Sequence, residues 1–328
     1  MARLIPPKPF LGYPDMVALL RQRGMQIACP SRAERELARL GYYRLSGFWY
    51  PSRVFALDPA GRHLVCPHTD RPLRLDDFQP GTLFDAAVDL YRFDKALRLL
   101  MLEAIETVEV HLKTVFAHEL GRNDSLAYAS SALIEPMWLG VKPGFNQSKW
   151  DAWKGRQQKK LEDSSEECLQ WHRLTNRAIP FWVAVEAWDF GTLSIYFQLL
   201  KRKPQGWILA RLGLSDVKAF KSWLRAINTL RNRCAHHTRV WNQSDGNPIV
   251  LPAAEPYFRA LNLDANARKR MYGLISVLWF LLRRIDPGSD WIGKVADLID
   301  SKPLMPGCTF DAMGFTTEAG FPRNSFAA

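Results

Sequence analysis

The sequence lacks the patterns that mark several common protein classes. Its five cysteines are odd in number and scattered along the chain, with no CxxC pair and no Cys/His cluster at zinc spacing. No P-loop, no GxGxxG run after a strand and no Ser/His/Asp elbow is present either. We therefore expect reduced thiols in a cytosol, no metal site and no cofactor.

Long hydrophobic runs are also missing. The longest apolar segment, LISVLWFLL at residues 274–282, is far short of the roughly 20 residues that a membrane span needs. The opening MARLIPPKPF is interrupted by proline and has no apolar core of the kind that a signal peptide carries. These absences predict a soluble, cytoplasmic protein with no membrane partner.

Acidic residues are fewer than basic ones, 33 against 44, which gives a formal net charge of +11. This balance favours a polyanionic partner, with nucleic acid first, and the alternative is a soluble protein that is merely basic. The basic residues are spread along the chain, so the sequence does not indicate a polybasic membrane tract or a disordered nucleic-acid arm.

Two stretches combine basic and aromatic residues. In KWDAWKGRQQKK, residues 149–160, we predict RNA contacts by four side chains, against the alternative of an exposed charged helix. Those four are Lys154, Arg156, Lys159 and Lys160. In YYRLSGFWY, residues 42–50, Arg44 and its aromatic neighbours could form a stacking platform for single-stranded RNA, although a packed junction between helical pieces fits such density better.

Helical periodicity dominates the rest of the chain. From Thr82 to about Gly121 no proline or glycine interrupts apolar residues at three-or-four spacing, which predicts one long helix. An aromatic-rich turn is expected before residue 50, and a loop or small hairpin over 50–80. Further helices are predicted over 15–24, from Ser31 to near 41, from Pro180 to about 202, from Ser215 to about 237, and over 266–286.

Together these elements predict an all-α fold in three parts. A helical bundle covers 81–300 and contains a loop-rich insertion at about 122–175, and a small helical and aromatic-rich region precedes it over 1–80. Residues 301–328 carry prolines and glycines without periodicity, so we expect a tail that is poorly ordered or draped on the surface.

The stretch LRNRCAHHTRVWN, residues 230–242, lies at the predicted end of the third bundle helix. Arg231 and His236 are five residues apart, which separates their directions by about 140° on a regular helix. Their side chains converge only if the helix ends or loosens near His236, and a second copy of the surface could complete a cleft. Arginine can hold a phosphate and histidine can move protons near neutral pH, which suits cleavage of RNA; its 2′-hydroxyl is the nucleophile, so no metal is required.

A structural role for the same two residues is the alternative. A histidine near a helix C-terminus interacts favourably with the helix dipole, and Arg231 could pair with a carboxylate across the bundle. Glu103, Glu106 and Glu109 lie on or near the long helix and are candidates to orient Arg231. Because Arg-x4-His arises often by chance, the spacing alone does not decide between the two roles.

The whole stretch resembles the signature of the Abi-like family of bacterial abortive-infection proteins, in which an RN…HH.R.WN run carries the R-x4-6-H motif of HEPN ribonuclease domains. Four other blocks agree in the family's order: KPFLGYPDMVALLRQRGMQI, LGYYRLSGFWYP, LYRFDKALRLLMLEAIETVEVHLKT and PFWVAVEAWDFGTLSIYF. The resemblance implies a HEPN-like helical bundle and a metal-independent endoribonuclease of phage defence. One motif per chain implies a homodimer, or a partner that supplies the second motif.

The resemblance also implies roles for individual residues. Arg231 would grip the scissile phosphate, Asn232 would position backbone or substrate, and His236 would be the acid or base. His237 could share the role of His236, because the sequence does not separate the two histidines. Arg239 matches the family run and is expected to contact RNA.

Two further questions stay open from the sequence. Trp241, within the same run, is expected to pack after the helix rather than to stack on a base. Besides the nuclease, the chain could be a binding module that holds a structured small noncoding RNA in a ribonucleoprotein without cleaving targets itself. A third possibility is a toxin that a partner protein holds inactive.

Overall fold

A computed structural model describes residues 7–316 and 320–326. The chain forms two compact units: the first comprises Met1–Leu97 and Asp297–Phe321, the second Arg98–Ala296 and Pro322–Ala328. This division passes through the long helix, whereas the predicted boundaries at 80 and 300 do not. Helices predominate, and across the described residues the single sheet has two short strands, so the predicted all-α fold is confirmed.

The first unit contains three short helices, a strand pair and the beginning of the long helix. In chain order these are α1 Tyr13–Gln22, α2 Pro30–Leu40, α3 Tyr42–Trp49, β1 Arg53–Phe55, β2 Arg74–Phe78 and α4 Phe84–Gly121. The strands are antiparallel, with Arg53 opposite Phe78 and Phe55 opposite Arg74. This pair is the small hairpin that the sequence predicts within 50–80.

The aromatic-rich turn predicted before residue 50 is wrong, because this stretch forms α3. Gly41 has a φ of 84°, a conformation that glycine adopts without strain, so α2 ends there and the next helix begins at once. Leu45, Phe48 and Trp49 follow at helical spacing and are buried. Of the predicted stacking residues, Tyr43, Arg44 and Tyr50 remain exposed.

The tail predicted to be poorly ordered or draped on the surface is instead packed, and its part up to Phe321 belongs to the first unit. Leu304 is exposed, but five apolar side chains are buried despite the lack of periodicity: Met305, Cys308, Phe310, Met313 and Phe315. Gly307 approaches the backbone so closely that an added Cβ would lie 2.1 Å from the Pro51 carbonyl oxygen. The hydroxyl of Ser52 donates to the Pro306 carbonyl at 2.6 Å. Irregular backbone is buried here because neighbouring segments satisfy its polar groups.

The second unit contains the rest of α4 and the later helices. These are α5 Lys149–Asp163, α6 Glu167–Leu174, α7 Phe181–Ala184, α8 Phe190–Leu199, α9 Arg202–Arg211, α10 Val217–Ala235, α11 Pro256–Leu261, α12 Met271–Ile285 and α13 Trp291–Asp300, of which the last extends into the first unit. In the described part of the chain, no helix combines the length and the apolar character needed to cross a membrane.

Two predicted helix starts move by one or two residues because of their caps. α2 has Cys29 rather than Ser31 as N-cap, since proline at position 30 suits the first helical position. α10 has Asp216 rather than Ser215 as N-cap, and the Asp216 carboxylate accepts the backbone N–H of Ala219 at 2.9 Å. The helix predicted over 266–286 begins only at 271.

The helix predicted from Pro180 to about 202 is broken into α7, a 3₁₀ turn and α8. Asp189 causes the break, because it is extended and caps a new helix through Thr192. α9 is an additional helix that the sequence pattern did not indicate. Pro204 argues against a helix there, but it is the third residue of α9, where the backbone N–H has no helical partner to lose.

Candidate active site

The LRNRCAHHTRVWN stretch forms the last turns of α10 and the chain just beyond it. One face of α10 is apolar at three-or-four spacing and is buried: Phe220, Trp223, Leu224, Ile227, Leu230 and Cys234. This face packs against α8, α9 and α12. The opposite face at the end of the helix, which includes Asn232, is exposed. The bundle therefore holds the helix end firmly and leaves its polar side open.

The end of α10 has the hydrogen bonds of a Schellman motif. The backbone N–H of Thr238 donates to the Arg233 carbonyl at 2.9 Å, and that of His237 donates to the Cys234 carbonyl at 3.1 Å. The hydroxyl of Thr238 also donates to the Arg233 carbonyl. These bonds satisfy carbonyls that a helix end would otherwise leave without partners.

His237 occupies the position where this motif usually has glycine. Its φ is 57°, in the left-handed region. A side chain in that conformation costs about 1 kcal/mol relative to glycine, although histidine tolerates it better than most residues. In this strained conformation His237 lies directly beyond the helix, and its imidazole is exposed.

Helical hydrogen bonding continues up to the C-cap residue His236, so Arg231 and His236 leave the helix on different faces. The backbone N–H of His236 donates to the Asn232 carbonyl at 2.9 Å, as in a continuous helix. The two residues therefore keep a directional separation of about 140°. His236, His237 and Asn232 are exposed, and Arg231 is half-buried. The helix ends at His236, which is the condition that the sequence set for convergence, and a joint role of Arg231 and His236 stays a prediction.

Arg231 lies close to a glutamate on α4. Burial raises the pKa of Glu109 above its ordinary value, and the charges of Lys113 and Arg231 offset part of that rise. The charge of Asp189, just before α8, adds to the rise. The half-buried carboxylate is thus near two cations, one of which belongs to the motif.

The other two glutamates considered from the sequence lie elsewhere. Glu103 is exposed and pairs with Lys294 at 3.4 Å, and Glu106 is exposed on the same helix. Of the three candidates to orient Arg231, the structure therefore brings only Glu109 into its neighbourhood.

Asp189, the N-cap of α8, is a second acidic residue near Glu109. Asp189 accepts hydrogen bonds from the Thr192 backbone N–H at 2.7 Å and from its hydroxyl at 2.8 Å, and it forms an ion pair with Lys160 of α5. Burial works to raise the pKa of Asp189, but the hydrogen bonds from Lys160 and Thr192 hold it below its ordinary value. Gly191 explains how closely α8 approaches α10, because an added Cβ would lie 3.3 Å from Asn228 Oδ1.

The chain after the motif is anchored in the bundle. Trp241 is fully buried, so the expected packing role is confirmed. The buried guanidinium of Arg98, on α4, is within 3.5 Å of the Thr238 carbonyl oxygen, and Arg270 donates to the Asn242 carbonyl at 3.2 Å. Arg239 is half-buried, and its predicted RNA contact stays a prediction.

The other predicted RNA-binding residues lie on two helices. On α5 the tryptophans of KWDAWKGRQQKK are core residues, whereas Lys154, Arg156 and Lys159 are exposed. Lys160 differs from them, because its ammonium pairs with Asp189. Arg44 is exposed on α3, in the first unit. Among the residues that the structure describes, no group of three or more His, Cys, Asp and Glu side chains could hold a metal ion.

A family profile described as Abi-like protein matches residues 35–242 of the chain. The matched range extends from α2 through the end of the LRNRCAHHTRVWN stretch. No curated protein and no solved structure matches the chain. The implied HEPN ribonuclease domain stays a prediction. Because the profile covers well over half of the sequence, the chain belongs to the Abi-like protein family, whose name refers to abortive infection.

Proposed function

We propose that this protein is a metal-independent endoribonuclease that acts in abortive infection and cleaves RNA at the end of α10. One observation carries the proposal: α10 ends in an exposed Schellman motif with a histidine in the glycine position, six residues beyond an arginine that a half-buried glutamate neighbours. A purely structural helix end needs neither the strained His237 nor the cost of burying Glu109.

The chemistry begins with the phosphate of the RNA. Arg231 is permanently charged and fork-shaped, so it can hold two non-bridging phosphate oxygens and stabilise the charge that builds on them. We assign Glu109 as a positioning residue, because its carboxylate lies on α4 and attracts the guanidinium electrostatically. The arginine supplies the positive charge that other nucleases take from a metal ion.

Histidine moves the protons. His236 accepts the proton of the 2′-hydroxyl as its oxygen attacks phosphorus, and a bond from phosphorus to the 2′-oxygen forms. The bond from phosphorus to the 5′-oxygen breaks, and a protonated imidazole, from His237 or from a second copy of the chain, donates a proton to that oxygen. The products are a 2′,3′-cyclic phosphate and a 5′-hydroxyl.

A second copy of the chain completes the site. Arg231 and His236 leave the end of α10 in directions about 140° apart, which favours a site that takes the two side chains from different chains. Two copies related by a twofold axis bring the arginine of one chain near the histidine of the other. We therefore include a homodimer in the proposal.

The test is cleavage of RNA by the purified chain in the presence of a chelator. We expect the parent protein to leave 2′,3′-cyclic phosphate ends, and Arg231→Ala and His236→Ala each to lower cleavage by at least about 100-fold. Arg225→Ala is the matched control, because Arg225 is an exposed arginine on the same helix outside the motif. Equal cleavage by the parent and both motif variants would contradict the proposal.

A second candidate function is an RNA-binding protein that holds a structured small noncoding RNA. The three exposed cations of α5 favour it, because a charged helix face can bind phosphates without any catalytic geometry. Tight RNA binding by the parent protein and by both motif variants, with cleavage by none of them, would support this function over the nuclease.

A further inference from the structure

A cleft of about 480 Å³ lies in the second unit, where the end of α4 meets α7. Its lining includes Thr114, His118 and Arg122 from the α4 side, and Trp182, Val185 and Glu186 from the α7 side. A volume of this size accommodates one nucleotide. The cleft lies on another side of α4 from Glu109, the neighbour of Arg231. Thr114 and His118 follow Glu109 by five and nine residues, which turns their directions by about 140° and about 180°.

Trp182 gives the cleft an exposed aromatic wall. One part of its indole rests on Gly121, where an added Cβ would lie 3.4 Å from the tryptophan Cε3 atom. Even so, 54% of the residue is exposed. Within residues 7–316 and 320–326, no other ring lies at stacking distance and no cation lies over its face. The ring is therefore held in place with a surface open to a flat ligand.

A buried carboxylate gathers cations beside this ring. Glu119 is almost fully buried, and it pairs with Arg122 at 3.1 Å, with His118 at 3.1 Å and with Arg211 at 3.9 Å. Arg122, Arg211 and His118 are themselves well exposed. Of these side chains, Arg122 and His118 line the cleft itself. The pair with Glu119 occupies one nitrogen of Arg122 and leaves other donors of its fork for an anion.

The opposite rim has a hydrogen-bond acceptor. Glu186 is exposed and lines the cleft across from the cations. A carboxylate here can accept a hydrogen bond from an N–H on the edge of a nucleobase. An aromatic face, a guanidinium and an edge acceptor around one small cleft fit a ligand that is flat, carries N–H groups and is attached to a phosphate.

We propose that this cleft, the Trp182 cleft, binds one nucleotide of a single-stranded RNA. The base stacks on the Trp182 indole and Arg122 holds the adjoining phosphate. The net charge of +11 favours a polyanion over an apolar protein segment as the occupant. The proposal rests on the proposed function in one respect, because both take RNA as the ligand, and it adds a binding subsite away from the scissile phosphate.

The experiment measures binding of a short fluorescent 2′-O-methyl oligonucleotide to the full-length chain by anisotropy. This probe has no free 2′-hydroxyl, so it cannot be cleaved and the result does not depend on nuclease activity. We expect Trp182→Leu to weaken binding about 5- to 100-fold, and Trp182→Phe, which keeps an aromatic face, to weaken it much less. Arg122→Gln should lower the affinity and reduce its salt dependence by about one phosphate contact.

Trp171 offers a matched control. It is 48% exposed on α6, but the Arg177 guanidinium lies 4.9 Å from its ring centroid and already covers a face. Trp171→Leu should therefore leave the affinity unchanged. A fully paired duplex of the same chemistry should bind independently of Trp182, because its bases offer no free face. If Trp182→Leu does not fold, photo-crosslinking of a 5-bromouracil oligonucleotide to the parent protein decides, with Trp182 expected as the modified residue.

Unchanged single-strand binding by a folded Trp182→Leu chain, or crosslinks confined to other residues, would overturn the subsite. The same holds if this variant changes only the oligomeric state, since the cleft would then contact a second copy. The outcome is independent of the nuclease proposal. Binding that depends on Trp182, without RNA cleavage, supports the subsite and contradicts the nuclease. Cleavage with binding that does not depend on Trp182 supports the nuclease and contradicts the subsite.

Discussion

The α5 helix and the end of α10 read similarly in the sequence, yet their structures differ. Both combine several cations with tryptophan. In α5, Trp150 and Trp153 are core residues, and three of the cations extend from a regular, exposed face. At the end of α10, one cation neighbours a half-buried carboxylate, and the backbone is held in a left-handed conformation. Both segments are rich in charge. Only the end of α10 combines that charge with a half-buried carboxylate and a strained backbone, which both oppose folding.

That difference distinguishes a surface that can bind phosphates, on α5, from a candidate catalytic site, at the end of α10. An exposed lysine on a helix contributes a phosphate contact and little to stability. A strained backbone and a buried carboxylate oppose folding, so they persist only where the surrounding structure imposes them, and such positions concentrate at functional sites. The following substitutions test the contrast, in order of expected size.

The largest effect is expected in α5, at its buried face. Trp153→Ala should lower the free energy of unfolding by about 3–5 kcal/mol, because it leaves a cavity in the core. It also removes the stacking on Tyr196, at 4.6 Å between ring centroids, and the indole hydrogen bond to the Thr192 carbonyl at 3.2 Å. Urea unfolding measures the change. Lys154→Ala, one residue further on the exposed face, should have a free energy of unfolding within about 0.5 kcal/mol of the parent. Similar losses of stability in both variants would contradict the division of α5 into a buried and an exposed face.

A smaller effect of the opposite sign is expected at the end of α10. His237→Gly should raise the free energy of unfolding by about 1 kcal/mol, because glycine adopts a φ of 57° without strain. Thermal unfolding measures the gain. His236→Gly is the control: His236 has a φ of −89°, so glycine there brings only added flexibility and should destabilise. A loss of stability in His237→Gly would show that the side chain of His237 is held for structural reasons.

The smallest effect should depend on pH, at Glu109. Its folded-state pKa is raised, so the parent chain gains stability as the pH falls and loses it as the pH rises through the folded-state value. Glu109→Gln removes this titration. The melting temperature of the variant minus that of the parent should therefore increase from acidic to mildly alkaline pH. Glu106→Gln, at an exposed position of the same helix, is the control; an identical pH trend in both variants would contradict the effect of burial.

Much of the helical framework can be predicted from the sequence, because amphipathic periodicity is local. α4 and α10 are long enough for the pattern to dominate, and their predicted limits differ from the structure by only a few residues. The break before α8 and the burial of residues 301–316 were missed. A cap such as Asp189 and a packed irregular tail depend on neighbours that are distant in sequence. An Asp three residues before a Thr, within DFGT, is the local signal of the cap that was available.

The candidate site divides in the same way. The position of the motif at a helix end follows from the sequence, since the apolar pattern stops at Cys234. The left-handed His237 does not, because glycine or asparagine is the usual residue at that position. Glu109 was one of three glutamates to consider, and only the packing of α4 against the start of α8 distinguishes it. The Trp182 cleft gave no sequence signal beyond one tryptophan among twelve.

The most direct measurement is single-turnover RNA cleavage at saturating protein, which separates chemistry from binding. We predict that Arg231→Ala and His236→Ala lower the cleavage rate constant by at least about 100-fold even when all the RNA is bound. A triple variant of α5, with Lys154, Arg156 and Lys159 each changed to alanine, should need more protein to saturate and then cleave at the parent rate. A full cleavage rate in both α10 variants, or a rate that the α5 charges control instead, would contradict the assignment of the chemistry to the end of α10.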